Sequence, residues 1–264
     1  MFAPIAAKFT TAGLGNAGRA AAGLALVALA ACGPAPAPQG IDDPNEANNR
    51  QMHALNRALD RSLVRPAAKG YGAILPVPVQ QGVSNFASNL DIPGDVVNGL
   101  LQGRPGNAAE NVLRFAVNST IGIGGLFDPA SALGVEGKET DFGETLHIWG
   151  AEEGNYAEVP FVGPTTTRDF VGMLVDVAMN PVSLVLDRPE SYVATGFKLG
   201  SRLGDRNRYS DTVDSILYES ADSYAQARLL YLQNRRYELG QTTDGDNASF
   251  EDPYEDPYAD PYAQ

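Results

Sequence analysis

The sequence contains few of the residues from which most catalytic and metal sites are built. Its 264 residues include only two histidines, one tryptophan and one cysteine. A lone cysteine cannot form an internal disulfide, and with two histidines it leaves little room for a His/Cys metal centre or a cysteine nucleophile. Neither a Gly-x-Ser-x-Gly motif nor a Walker A motif occurs. The composition therefore predicts no catalytic residues and no metal ligands.

Basic residues are also scarce, with 19 Lys and Arg against 32 Asp and Glu and a formal net charge of −13. This balance argues against nucleic-acid binding, which needs clustered lysine and arginine, and against electrostatic docking on anionic lipid. Residues 240–264 form a tail with seven acidic and no basic side chains. Its three Asp-Pro-Tyr repeats predict disorder, so the tail is either a solvated terminus or a segment that binds a partner or cations.

Long apolar runs are missing as well. No stretch after residue 32 has 18 uninterrupted apolar residues, so no transmembrane helix is predicted. The apolar run over residues 20–31 is too short for a membrane span but fits the core of a signal peptide. Because Lys8 and Arg19 are the only charged residues before it, residues 1–31 are predicted to be a signal peptide.

The signal peptide ends in Leu29-Ala30-Ala31-Cys32, which resembles a bacterial lipobox. The resemblance implies cleavage before Cys32 and attachment of acyl chains to it, and two or three chains anchor a protein far more firmly than one. Gly33 rather than aspartate follows the cysteine, which under the enterobacterial sorting rule implies the outer membrane. An ordinary secretory signal with an incidental cysteine is the alternative. The Pro/Ala-rich residues 32–42 are predicted to be an extended, lipidated tether.

The remaining chain shows helical rather than strand periodicity. An apolar residue recurs every three or four positions from Met52 to Leu63, and Pro66 is expected to end this helix. Further helices are predicted over residues 79–90, 96–101, 105–117 and 169–179, with one long final helix that includes residues 213–231. Because these helices are short and broken by glycine and proline, the sequence predicts an all-α single domain.

Both histidines are interpreted as structural residues. His53 lies beside an apolar stripe and is predicted to be exposed. His147 lies near Asp141, Glu144 and Trp149, an arrangement that acid–base chemistry could use, but a half-buried or surface histidine is the favoured interpretation.

Several sequence blocks between Asp43 and Arg236 resemble one known family. They are Asp43-Pro44-Asn45-Glu46, Gly82-Val83-Ser84-Asn85-Phe86, Leu100-Leu101-Gln102-Gly103, Asn118-Ser119-Thr120-Ile121-Gly122-Ile123-Gly124-Gly125-Leu126-Phe127-Asp128-Pro129-Ala130 and Asp141-Phe142-Gly143-Glu144-Thr145-Leu146. Their order and spacing are similar to those of the MlaA (VacJ) outer-membrane lipoproteins, so an MlaA-like domain is predicted over residues 43–239. Asn48 and Asn155 depart from that family, which usually has phenylalanine and proline there.

The resemblance implies a ring of short amphipathic helices in the inner, periplasmic leaflet of the outer membrane, with a central amphipathic channel. Misplaced phospholipid from the outer leaflet would pass through this channel to a soluble periplasmic carrier, MlaC in the family, and so maintain lipid asymmetry. Family members also associate with trimeric porins. Lipid transfer makes and breaks no bond, so the expectation is no enzyme and no cofactor beyond the covalent N-terminal lipid and the transient phospholipid.

A glycine-rich segment is the candidate lipid path. It consists of Gly122, Ile123, Gly124, Gly125, Leu126, Phe127 and Asp128. Its glycines leave backbone bare beside apolar side chains, and its carboxylate offers a polar group to a lipid headgroup.

The final helix is the candidate carrier-facing surface. Arg228, Tyr231 and Arg235 recur every three or four residues, so they share one helix face, and Arg and Tyr are typical of interfaces. Tyr224 is expected to pack on the domain instead.

Two alternatives from other functional classes stay open. A structural lipoprotein that only scaffolds a porin would have a closed or polar centre. A lipid hydrolase would need a Ser/His/Asp arrangement, which the sequence alone does not place.

Overall fold

The computed structural model describes residues 33–38, 40–182 and 190–241. The predicted signal peptide, the lipidation residue Cys32 and the acidic repeats of the tail lie outside these described residues. The predictions for them therefore stay predictions.

The described chain is almost entirely helical. Its helices are α1 (Glu46–Leu59), α2 (Arg65–Ile74), α3 (Val77–Asn89), α4 (Ile92–Leu101), α5 (Pro105–Thr120), α6 (Pro129–Ala132), α7 (Phe142–Ile148), α8 (Thr167–Met179), α9 (Glu190–Arg208), α10 (Ser210–Asp214) and α11 (Ser223–Glu238). Pro105 occupies the first position of α5 as expected, because its missing N–H is not needed there. The all-α prediction is confirmed.

A small β-hairpin interrupts the helices and was not predicted. Strands β1 (Tyr156–Val159) and β2 (Gly163–Thr166) pair antiparallel, with Tyr156 opposite Thr166. Its turn places Phe161 at φ +65°, a backbone conformation that is rare for a bulky residue. Each strand has only four residues, which is too short for a recognisable alternating pattern.

The prediction that Pro66 ends the first helix is wrong. A π-helical turn over Asp60–Val64 joins α1 directly to α2. The Arg65 N–H donates to the Asp60 carbonyl, five residues back, instead of four. Proline is tolerated in the first turn of the α2 segment that follows, where its missing N–H costs least, so the chain remains helical to Ile74.

The prediction of a single long final helix is also wrong. The helical chain of α10 passes through a π turn, Ser215–Glu219, and then breaks. Ser220 is extended at ψ 149°, and Asp222 starts a new helix by accepting the Ala225 N–H on its carboxylate at 3.1 Å. Aspartate is favoured at this capping position, and that local signal was overlooked in the apolar periodicity.

The segment predicted to be a tether packs on the domain instead of standing free. The Ala35 N–H donates to the His147 carbonyl at 3.1 Å, and the Gln241 side chain donates to the Pro36 carbonyl at 3.1 Å. Further on, the Asp42 carbonyl accepts the Tyr156 N–H. A proline-rich segment is already extended in solution, so docking it costs little conformational entropy.

The elements contact one another in an order that closes on itself. Helix α1 contacts β1, which pairs with β2; β2 contacts α8, α8 packs on α7, and α7 contacts α4. Helix α4 contacts α3, α3 packs on α9, and α9 packs on α2, which continues α1. The described helices therefore form the expected ring. Helix α5 packs against α4 and α3, and α11 lies against β2 and the second π turn.

Polar and apolar side chains are distributed in the reverse of the usual order. Large apolar residues stand on the surface, with Ile74 79% and Phe161 80% exposed. Polar side chains are buried instead, among them Asn111 and Thr145. The compact apolar core is small and centres on Tyr156, Tyr224 and Leu232. Over the described residues, every helix is too short or too polar to cross a membrane.

Candidate functional site

A polar cavity lies inside the ring, and we call it the central cavity. Its volume is about 710 Å³. Helices α3, α4, α5, α7 and α11 and the loop over residues 136–141 supply its walls. Asn89, Asp95, Asn111, Arg114 and Arg235 represent these walls, and Ile92 is the one large apolar residue among the lining side chains.

Buried asparagines hold the cavity walls in place. The Asn111 amide donates to the Lys138 carbonyl and accepts the Lys138 N–H, both at 2.8 Å. The Asn118 amide donates to Asp128 at 2.9 Å and accepts the Ala130 N–H at 3.1 Å. A buried amide with both ends bonded fixes the adjoining loop and leaves no unpaired polar group behind it.

A second cavity with a more apolar wall borders the central cavity. This side cavity has a volume of about 490 Å³ and lies against α8, where Met173 and Val177 line it. Asp91, Asp141 and Arg235 border both cavities. The two neighbouring cavities together offer a polar part and a partly apolar part.

The electrostatics of the central cavity are dominated by Asp95. Burial, together with the negative charges of Asp91, Glu139 and Asp176, raises the pKa of this carboxyl to about 7. The Thr140 N–H donates to it at 3.3 Å, which offsets only part of the effect. The cavity therefore carries a carboxyl that is costly to ionise without a cation nearby.

We expect Asp95→Asn to stabilise the protein in a pH-dependent way. The folded-state pKa of about 7 lies above the ordinary aspartate pKa of 3.8, so the free energy of unfolding falls as pH rises between these values. Asparagine removes this loss and should raise stability at pH 8 by on the order of 2 kcal/mol, with little gain at pH 4. Thermal unfolding of both proteins at the two pH values measures the difference. Asp211→Asn on the exposed face of α10 is the control, and equal effects of the two substitutions would contradict the assignment.

The structure divides the predicted lipid-path residues into two groups. Asp128 lines the central cavity, and Gly122 and Gly125 are buried behind its wall. Ile123 and Phe127 instead stand on the outer surface, 65% and 61% exposed. Their role in a lipid path stays a prediction, with the loop joining the cavity wall to the apolar exterior.

The predicted carrier-facing residues are already engaged within the chain. Arg228 forms an ion pair with Asp43, and Arg235 bonds Asp141 at 2.7 Å. The Tyr231 hydroxyl donates to Asp169 at 2.9 Å.

The outward face of α11 carries a different set of side chains. Leu229, Leu230 and Tyr237 are exposed there. Carrier contact by Arg228, Tyr231 and Arg235 stays a prediction, and any such contact would have to share their internal partners.

A polar helix stripe could have revealed the cavity from the sequence. Asn111, Arg114 and Asn118 are spaced by three and four residues along α5, so they share one face of an otherwise apolar helix. All three point toward the ring interior and hold its loops. This stripe was not interpreted as a site because polar residues on one helix face usually meet water outside the fold.

Both histidines are buried, which corrects the predictions of an exposed His53 and a half-buried or surface His147. The His147 backbone carbonyl anchors the N-terminal segment. Burial and nearby Arg168 hold the pKa of its side chain below the usual value, so its imidazole is neutral.

His53 belongs to a Ser–His–Glu chain that the sequence pattern did not show. Its Nε2 lies 3.0 Å from the Ser223 hydroxyl, and its Nδ1 lies 3.3 Å from a Glu158 carboxylate oxygen. This order matches a hydrolase triad. However, Ser223 is only 8% exposed, and neither of the two cavities reaches it. The chain ties α1, the hairpin and α11 together. Within the described residues, no group of three or more His, Cys, Asp or Glu side chains could hold a metal ion.

Comparison with known proteins identifies the family to which this fold belongs. The family model for the MlaA lipoprotein matches residues 41–238. The chain belongs to the MlaA lipoprotein family.

Members of the family with known names share about a third of their residues with the chain. The intermembrane phospholipid transport system lipoprotein MlaA of Shigella flexneri is 34% identical over 206 residues, which cover 75% of this chain and 79% of that protein. The protein with the same name from Haemophilus influenzae is 33% identical over 203 residues, covering 75% of this chain and 79% of that protein.

A solved structure shares the fold. It comes from work on the structural basis for maintenance of bacterial outer membrane lipid asymmetry. It superposes with a TM-score of 0.65 at 31% identity and covers 75% of this chain and 98% of the other. The chain therefore shares its all-α fold with that structure.

Proposed function

We propose that the protein is an outer-membrane lipoprotein that removes misplaced phospholipid from the outer leaflet and passes it through the ring to a periplasmic carrier. The single observation that carries this proposal is the reversed polarity: a polar cavity lies inside a ring whose outer surface is apolar. Membership of the MlaA family and the structural relative support it. The activity is transport, not catalysis.

The exposed apolar residues fit a lipid environment. Ile74, Ile121 and Phe161 are each at least 67% exposed and come from three different parts of the described chain. Apolar surface of this extent is unfavourable in water and favourable in acyl chains, at roughly 25 cal/mol per Å². Even α9, the longest described helix with 19 residues, spans about 29 Å, less than the roughly 30 Å of a bilayer core. The ring therefore lies in one leaflet, and Cys32 anchors it there through its acyl chains.

The cavities supply separate surfaces for the two parts of a phospholipid. The central cavity presents carboxylates, amides and guanidinium groups to the headgroup, while Met173 and Val177 of the side cavity meet acyl chains. Irregular backbone at membrane depth is tolerated where it lines such a polar space. The soluble carrier, MlaC-like, and a trimeric porin are the partners proposed from the family resemblance.

The two alternatives are less well supported. A scaffold that only holds a porin fits the polar lining of the central cavity, but it does not account for the partly apolar side cavity of about 490 Å³. A lipid hydrolase requires its serine to meet substrate, but Ser223 is buried away from both cavities.

A complementation experiment tests the proposal. Cells that lack the protein should accumulate phospholipid in the outer leaflet and become sensitive to detergent, and wild-type protein should reverse both effects. Cys32→Ala should fail, because the protein is unprocessed or mislocalised, whereas Ser223→Ala should restore both at matched membrane levels. Mass spectrometry of the wild-type protein extracted from membranes should detect bound phospholipid.

Each arm has an outcome that contradicts a part of the proposal. Normal processing and outer-membrane fractionation of Cys32→Ala would contradict lipid anchoring through Cys32. Loss of activity in a folded Ser223→Ala protein, together with release of fatty acid by the wild type, would favour the hydrolase. Absence of both bound lipid and lipid accumulation would leave the scaffold.

A further inference from the structure

The carboxylates of the central cavity differ in whether they have a cationic partner. Asp128 pairs with Arg114, Asp141 with Arg235, and Glu144 with Arg104; Asp91 pairs with Lys198. Three other lining carboxylates have no ion pair within the described part of the chain. They are Asp95, Glu136 and Glu139. Lys138 is the one lining cation that has none there either. The cavity is thus built with more negative charge than its own cations neutralise.

A second observation also points to a hydrogen-bond donor that the chain does not supply. Asn89 lines the central cavity and is only 4% exposed, yet its Oδ1 accepts no hydrogen bond within the described residues. Its Nδ2 donates a hydrogen bond to the Ser119 hydroxyl oxygen at 3.1 Å. A buried acceptor without a donor is unfavourable, which favours a hydrogen-bond donor from outside the described chain at this wall.

The unpaired carboxylates suit an organic ammonium better than a metal ion. A divalent metal needs several oxygens converging at about 2.0–2.6 Å, and no described group of three or more acidic or histidine side chains provides this. A primary ammonium has three donors and no acceptor, and it bonds separate oxygens at about 2.7–2.9 Å. Spread-out acceptors such as Asp95, Glu139 and Asn89 match the primary ammonium.

The lining is also less suited to a quaternary ammonium. Such a group has no N–H to donate and is bound in proteins by aromatic faces. The central cavity has no aromatic residue among its lining side chains in the described chain. Lys138, flanked by Glu136 and Glu139, offers its ammonium to a phosphate.

We propose that the central cavity selects phospholipids whose headgroup carries a primary ammonium, with the ammonium on Asp95 and Glu139 and the phosphate on Lys138. Phospholipids with an uncharged alcohol headgroup, which are net anionic, and those with a quaternary ammonium bind less well. The proposal rests on the transport function and adds the substrate class to it.

A competition experiment on the full-length, lipidated protein in detergent tests the selectivity. The protein is incubated with equal amounts of phosphatidylethanolamine, phosphatidylglycerol and phosphatidylcholine that carry the same acyl chains, and bound lipid is quantified by mass spectrometry. We expect the ethanolamine lipid to be enriched about five-fold over each of the others, the effect of one partly desolvated ion pair. Asp95→Asn combined with Glu139→Gln should bring the ratio to about one. Glu219→Gln, an exposed carboxylate on the second π turn, is the matched control and should leave it unchanged.

Lys138→Gln should weaken binding of all three lipids and leave their ratio unchanged, because each lipid carries the same phosphate. Equal binding by the wild type, or a full preference in the Asp95/Glu139 double variant, would overturn the selectivity and leave the transport function intact. Loss of the preference on adding EDTA would show that a bound divalent ion causes the preference, and it would overturn the proposed ammonium recognition as well. Absence of any bound lipid would contradict the transport function itself.

Discussion

Gly122→Ala is expected to abolish lipid transfer. A Cβ at this position would lie 2.4 Å from the carbonyl oxygens of both Asn118 and Phe127. These are backbone atoms, so relief requires the loop itself to move. Asn118 also bonds Asp128 in the cavity wall, and the movement would disturb it. We expect a loss of about 3 kcal/mol or more in the free energy of unfolding, measured by thermal unfolding, and accumulation of phospholipid in the outer leaflet.

Two other glycines provide graded comparisons. Gly106 has no atom within 4 Å of its would-be Cβ and lies in the first turn of α5, so Gly106→Ala should be neutral or slightly stabilising. Gly124 also has open space but a φ of +71°, so Gly124→Val should cost on the order of 1 kcal/mol, less than Gly122→Ala. If all three variants unfolded at the wild-type temperature, the segment would be an ordinary adaptable turn.

Arg235→Gln is expected to destabilise the protein by about 3 kcal/mol, because it removes a guanidinium that lies between two carboxylates. Arg235 bonds Asp141 at 2.7 Å and Asp169 at 3.2 Å, and its own side chain is 13% exposed. Burial raises the pKa of the Asp169 carboxyl, but the positive charges of Arg235 and Arg168 outweigh this effect and hold the pKa below its usual range. The loss corresponds to roughly 6–12 °C in Tm for a domain of this size.

Arg208→Gln is the matched control, since this arginine is exposed at the end of α9. It should unfold within about 1 °C of the wild type. Equal Tm values for the two variants would show that the Arg235 ion pairs add no stability. A loss of carrier binding in an Arg235 variant is therefore evidence of an interface only if the same protein keeps its Tm.

Helix positions could be predicted from the sequence because their signals are local. Apolar spacing located α3 and α4, and Pro105 marked the start of α5. The hairpin could not be predicted, because its four-residue strands are defined only by pairing with each other. The passage through Pro66 depended on a π turn, for which the apolar spacing gives no separate signal.

The cavity was hidden by an ambiguity that the sequence cannot resolve on its own. An amphipathic helix has the same pattern whether its polar face meets water outside or a polar space inside. Asn111, Arg114 and Asn118 face inward because their hydrogen-bond partners lie in the loops that border the cavity. In the candidate glycine segment Gly122 and Gly125 are buried whereas Ile123 and Phe127 are exposed, a difference that spacing alone does not fix.

The docked N-terminal segment has a mechanical consequence. Ala35 is fastened to the His147 carbonyl, and Cys32 is three residues away, so the chain between them reaches at most about 11 Å. Acyl chains on that cysteine would be moored next to the end of α7. A ring on a long tether could rotate and tilt in its leaflet. A tether this short would instead keep the same side of the ring next to the anchor. The short tether would therefore keep the lipid entrance in one orientation relative to a neighbouring protein.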